Sequence, residues 1–135
     1  MVTPSKQSIS ATTKDWVAAA FEVADNGPPS ALAPFLSDSI EMRVGNGDTL
    51  RGKESVLRAL SAPSPVKSVR HVRQVLVMDG NSAVQLSTAH YTLHNGKVVS
   101  IPVATHFRRD ARDLIDRAWL YMDFTPVIEA ATASS

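Results

Sequence analysis

The run SVRHVRQVLVMDGNSAVQLSTAHYTLHNGK, residues 68–97, decides the fold. Two stretches rich in Val, Thr and Leu meet at Asp79-Gly80, and the second stops at Asn95-Gly96, the strongest short hairpin signal a sequence carries. The pattern continues beyond it. Residues 68–78, 83–93, 98–108 and 114–124 therefore predict four long strands in an antiparallel meander, the last two separated by the polar residues 110–113.

Upstream the period changes. Trp16, Ala20, Val23 and Ala24 recur at helical spacing, and Thr12 with Asp15 offers a capping-box start. Asn26-Gly27-Pro28-Pro29 stops that helix. Ser30 can cap a second short helix carrying Leu32, Phe35 and Leu36, with Pro34 tolerated in its first turn. Ile40, Met42 and Val44 alternate with Glu41 and Arg43 as a strand does. After the turn Gly45-Asn46-Gly47, Gly52 opens a third helix bearing Val56, Leu57 and Leu60. Three helices and a short strand before four long strands imply an α+β domain. Its expected form is a cone: a curved antiparallel sheet wrapped around three N-terminal helices and closed at one end. Residues 1–12 read as a flexible polar arm, 13–127 as the single domain, and 128–135 as a tail of small residues.

The composition narrows the function. With 44% hydrophobic and 20% charged residues the chain is too apolar for disorder, and 135 residues suffice for one real core. Net charge is +1 and the basic residues are scattered, which argues against nucleic-acid binding. The absence of cysteine removes thiolate nucleophiles and cysteine-ligated metals. No stretch is apolar enough for a signal peptide or a membrane span, so the expected setting is the cytoplasm.

Register arguments assign the faces. Read as a two-residue loop, Asn95-Gly96 sets His94 opposite Lys97 and His90 opposite Ile101. One face then holds Leu86, Thr88, His90, Val99, Ile101, Val103, Thr105 and Phe107, and is taken as the interior. The other face holds Gln85, Ser87, Ala89 and Tyr91. A two-residue loop at Asp79-Gly80 places His71 on the interior diagonal to His90, whereas a three-residue loop would separate them. On the last strand Leu114, Ala118, Leu120 and Met122 face in. Trp119, Tyr121 and Asp123 face out, beside Tyr91, and suggest a homodimer through the outer sheet face.

The quoted run, the order of elements and the closing RAWLYMDFTPV resemble the nuclear-transport-factor-2-like superfamily, in its SnoaL-like and scytalone-dehydratase-like branch, over residues 13–127. The resemblance implies a cone pocket. In scytalone-dehydratase-like enzymes an acid at the end of the first helix and histidines on two neighbouring strands line that pocket, and Asp25, His71 and His90 match those positions. Met42 and Ala24 stand where that branch has pocket tyrosines. The ketosteroid isomerase pattern fits less well, since its tyrosine and two acids fall at or near Ala19, Arg43 and Thr105. The Asp–Arg–Asp set of limonene epoxide hydrolases would fall on Ala89, Tyr91 and Leu120. SnoaL cyclases need little beyond one acid/base residue over an aromatic polyketide.

Histidine suits proton transfer because its ordinary pKa is about 6.5, and a carboxylate can fix its tautomer. The expected function is a lyase, isomerase or cyclase needing no cofactor or metal, with His71, His90 and Asp25 as the catalytic set. Its substrate would be a small, largely apolar cyclic molecule of polyketide or terpenoid type. Trp16, Met42, Thr88, Val103, Thr105, Phe107, Ala118, Leu120 and Met122 are the expected walls. The competing expectation is a ligand-binding or dimeric scaffold domain without turnover.

Overall fold

The computed structural model describes residues 15–132, so the expected arm 1–12 and Thr12 lie outside the described residues. The α+β architecture is as expected: N-terminal helices lie against one curved, six-stranded sheet. Helix α1 (Trp16–Asn26) is capped by Asp15, whose carboxylate accepts the Ala18 N–H at 3.0 Å. It buries Trp16, Val17 and Ala20. Gly27 ends it by donating to Val23 O at 2.9 Å, an approach so close that a β-carbon there would lie 3.0 Å from that oxygen.

The second predicted helix is a 3₁₀ segment, Pro29–Phe35. Pro34 inside it has no N–H to give the i−4 carbonyl, so a regular α-helical turn cannot form. Strand β1 (Leu36–Val44) follows, then a two-residue β2 (Leu50–Arg51) that the sequence did not announce. Helix α2 (Lys53–Leu60) starts at Gly52, whose φ of +92° favours glycine and whose N–H reaches Ile40 O at 2.8 Å.

The meander comprises β3 (Val66–Asp79), β4 (Ser82–Leu93), β5 (Val98–Arg109) and β6 (Ile115–Tyr121). Sheet order is β2-β1-β6-β5-β4-β3, which leaves β2 and β3 as edges, so the sheet is curved and open rather than a closed barrel. It is also not wholly antiparallel, because β1 runs parallel to β6. Residues 128–132, expected to fade into a tail, instead complete α3 (Thr125–Thr132), started by the Asp123 carboxylate on Thr125 N–H and anchored by fully buried Val127.

The β4–β5 hairpin departs from expectation by one residue, with a large effect. Leu93 N–H bonds Lys97 O at 2.8 Å and Gly96 N–H bonds Leu93 O at 2.9 Å, with Gly96 at φ +88°. The loop is therefore three residues, His94 to Gly96, closed by a left-handed glycine. His94 is withdrawn from the ladder because its N–H bonds Pro65 O at 3.0 Å, and Asn95 caps Lys97 N–H. His90 pairs with Ser100, and Gln85 with Thr105. The inner face of β4 thus carries Ala83, Gln85, Ser87, Ala89, Tyr91 and Leu93, all buried, while the β5 face stands as predicted.

At the β3–β4 turn the loop is Gly80-Asn81, and a bulge between Arg73 and Val75 shifts the register again. His71 ends opposite Ala89 and stays inside. Two one-residue departures cancel at that position and do not cancel at His90.

Candidate active site

The site grows from an i, i+4 pair on α1. Phe21 and Asp25 share one helix face and both meet the imidazole of His71 on β3. The Phe21 and His71 rings lie 4.7 Å apart. Asp25 Oδ1 is 2.9 Å from His71 Nδ1, and Oδ2 accepts the backbone N–H of the same residue at 2.8 Å. Their side chains are 10% and 8% exposed. A carboxylate only accepts, so in the neutral ring the hydrogen sits on Nδ1. Nε2 is left buried with no partner among the described residues.

That ring borders a cavity of about 380 Å³ between helices and sheet. Its walls are mostly apolar, among them Phe21, Leu32, Ile40, Met42, Val69, Phe107, Ala118, Leu120, Met122 and Phe124, with Ser64, Tyr91, Thr105 and the Asp25–His71 pair as polar exceptions. Phe21, Asp25, Val69 and His71 also line a shallower, more polar groove between α1 and the β3 edge. The Asp25–His71 pair is thus the partition between the two hollows. Arg73, the next inward residue of β3, is engaged elsewhere: its guanidinium grips Asp15 with two bonds of 2.8 Å and Nε donates to Gln85 at 2.7 Å. The Arg73 guanidinium holds the Asp15 carboxyl below its ordinary value, and Asp15 in turn raises Arg73.

Of the residues expected at the site, Asp25, His71, Met42, Thr105, Phe107, Ala118, Leu120 and Met122 border the cavity. His90 does not. The three-residue loop turns it to the outer face, where Nδ1 sits 2.7 Å from Ser100 Oγ. Thr88 turns out with it and accepts from Gln74 at 2.9 Å. Trp16 is buried beside Phe107 under the Arg109 guanidinium, in the core and not on the cavity wall. Val103 packs in a second core cluster with Ile101 and Val127.

Tyr91 was expected outside and is inside. It is 8% exposed, and burial, with a smaller contribution from the Asp25 charge, pushes its hydroxyl up to about 12. The signal that would have found it is Gly96 read as the last residue of a three-residue loop. His106 is on the outer face, where burial and then Arg117 and Arg108 lower its pKa. Among the described residues no cluster of three His, Cys, Asp or Glu could hold a metal, and no helix is long and apolar enough to cross a membrane.

A family model described as a SnoaL-like domain matches residues 17–118. No curated protein matches the sequence. Among solved structures, a protein of Jannaschia sp. CCS1 provisionally named a SnoaL-like polyketide cyclase aligns at TM-score 0.77 and 13% identity, covering 93% of this chain and 94% of that one. An LEH-like epoxide hydrolase of M. tuberculosis aligns at 0.71 and 16%, covering 85% of each. A Δ5-3-ketosteroid isomerase of Mycobacterium sp. aligns at 0.68 and 17%, covering 81% of this chain and 94% of the other. At these identities the likeness is one of fold.

Proposed function

This chain belongs to the SnoaL-like domain family, and from that premise we propose that it is an acid/base enzyme working without a cofactor. It acts as an isomerase, cyclase or lyase on a small, largely apolar cyclic molecule of polyketide or terpenoid type. The observation that carries this reading is the Asp25–His71 pair at the cavity wall: Asp25 holds the ring at Nδ1, and Nε2 is buried and unbonded among the described residues. His71 takes and returns the proton. Asp25 is a positioning residue that fixes the tautomer and balances the imidazolium formed during the reaction. The apolar walls exclude water and hold the ring system.

A thermal-shift screen with phenols, cyclic ketones, terpenoids and aromatic polyketides supplies the ligand. A compound at 100 times its dissociation constant stabilises by about 2.7 kcal/mol, several degrees for a domain of this size. With a substrate in hand, His71→Ala should lower kcat about 10²–10⁴-fold, the usual worth of a positioned acid/base. His90→Ala, on the outer face, should leave turnover intact. Turnover that survives His71→Ala would end the role given to His71, whereas ligands that bind wild type without any turnover would end the enzyme reading and leave a ligand-binding domain.

The partner of the outer face is proposed to be a second copy of the chain. Pairing aligns Val75, Leu86, Ala104 and Tyr121 into one apolar row across four strands, three of them exposed. Leu86→Lys should convert a dimer to a monomer in sedimentation velocity; a wild-type monomer would refute the pairing.

A further inference from the structure

His106 stands on the outer face of the sheet, next to the apolar row of Val75, Leu86, Ala104 and Tyr121. It pairs with Trp119 on β6 and with Val84 on β4, and Val84 pairs with exposed Val77 on β3. On the far side of His106 runs a charged row: Arg51, Glu41, Arg117, Arg108, Ser82 and Asp79. Asp116, bonded to Arg108, evens the signs, so a second copy meets this border without net repulsion.

The charges nearest the imidazole are cations. Arg108 lies two residues along β5 on the same face, and Arg117 stands one diagonal step away on β6. Trp119 carries two more contacts of that sign, with the guanidinium carbon of Arg117 4.8 Å and that of Arg43 5.9 Å from its ring centre. The carboxylates of this region are engaged. Asp116 takes Arg108 at 2.9 and 3.3 Å, and Glu41 is shared between Arg51 and Arg117, the latter at 3.9 Å. The remaining neighbours are Tyr121 on β6 and Ser82, Val84 and Leu86 on β4, and none is a carboxylate.

A proton on His106 therefore adds positive charge beside two arginines. In a single copy water screens it. A second copy laid over the face expels that water, and the imidazolium is then desolvated among cations, whereas the neutral ring tolerates the same burial. An isologous pair brings two such rings, one from each copy. We propose that His106 makes pairing through the outer face pH-sensitive: two copies associate while the ring is neutral and separate as it takes a proton. The proposal rests on the reading of this face as a contact between copies. Burial and the two arginines already lower the pKa of His106, and pairing should lower it further. A group whose charged form is disfavoured in the pair leaves association intact above its free pKa and weakens it as pH falls through that value.

Sedimentation velocity over a dilution series gives the dissociation constant at about pH 7.5 and about pH 5.5. With the ordinary histidine value of about 6.5 as the upper limit and two rings per pair, it should rise about tenfold to a hundredfold toward the lower pH. His106→Gln should show nearly the same constant at both values. His90→Gln, which removes the other imidazole of this face, should keep the rise. A wild-type pair equally strong at both values, or a rise that persists in His106→Gln, overturns the switch and leaves the contact standing. A wild type monomeric at both overturns the contact and the switch together. Hydrogen exchange at C2 of the His106 ring, followed by mass spectrometry on wild type above and below its dissociation constant, reads the same ring without a substitution. A lower pKa in the concentrated sample supports the switch, and equal values overturn it.

Discussion

Replacing Asp25 separates two things its carboxylate does. One oxygen accepts the backbone N–H of His71 and the other its Nδ1–H, both in a site about nine-tenths buried. Asp25→Ala strips both acceptors. Each buried donor left unpaired costs about 1–3 kcal/mol, and water entering the truncated site recovers part of that, so the loss should fall near 2–4 kcal/mol. At about 3 °C per kcal/mol the melting temperature drops by about 6–12 °C. Asp25→Asn behaves differently. Its carbonyl oxygen still accepts the backbone N–H, and its NH₂ can donate to Nδ1, provided that the ring moves its hydrogen to Nε2. Stability should then stay within about 1 kcal/mol of wild type, because both bonds survive. The tautomer inverts, and Nε2 changes from acceptor to donor. Nitrogen-15 chemical shifts of the ring in alkaline buffer distinguish the two: Nδ1 carries the hydrogen in wild type and Nε2 in Asp25→Asn. An unchanged tautomer in Asp25→Asn, or an Asp25→Ala as stable as wild type, would refute the reasoning.

Three further outcomes follow from other groups. Thr105 Oγ1 is buried without a partner among the described residues, so Thr105→Val should be neutral or stabilising by about 1 kcal/mol in urea denaturation; a large loss would mean the hydroxyl is in fact bonded. Because Asp15 has its folded pKa lowered by Arg73, it contributes stability that is present above the unfolded carboxylate value of about 3.9 and fades as pH falls below it. Asp15→Asn should therefore weaken the fold at pH 7 and flatten the acid limb of the stability profile. Tyr91 has its pKa raised from 10.0 to about 12, so its contribution is full below pH 10 and is lost as pH rises toward 12. Tyr91→Phe should remove that alkaline loss, and the tyrosinate absorbance that develops near pH 12 should disappear with it.

The order of elements was legible because it depends on period and punctuation, which are local. Alternation in residues 83–93 and 98–108 could only be strand, and Asp15, Gly27 and Gly52 marked helix limits where the chain needs them. The parallel partnership of β1 with β6 was not legible, since it joins segments about 80 residues apart. Face assignment failed for a narrower reason: strands have a period of two, so a loop one residue longer exchanges every side chain on the strand. The residue that settled it was His94, whose N–H is taken by Pro65, a contact no local pattern announces. Asp25 and His71 were named together only through the resemblance, which matched both positions. Tyr91 was hidden behind the same loop that exposed His90.

Strand β3 is fourteen residues long and forms an edge of the sheet. Edges of that length invite a neighbouring molecule to add its own strand, and proteins blunt them with charge, curvature or cover. Here the Asp25 carboxylate occupies the His71 amide, and α1 shields the flank. The residue that orients the imidazole is also a guard against intermolecular strand addition. Substitutions that strip its acceptors therefore leave an edge amide open to a second molecule as well as loosening the imidazole.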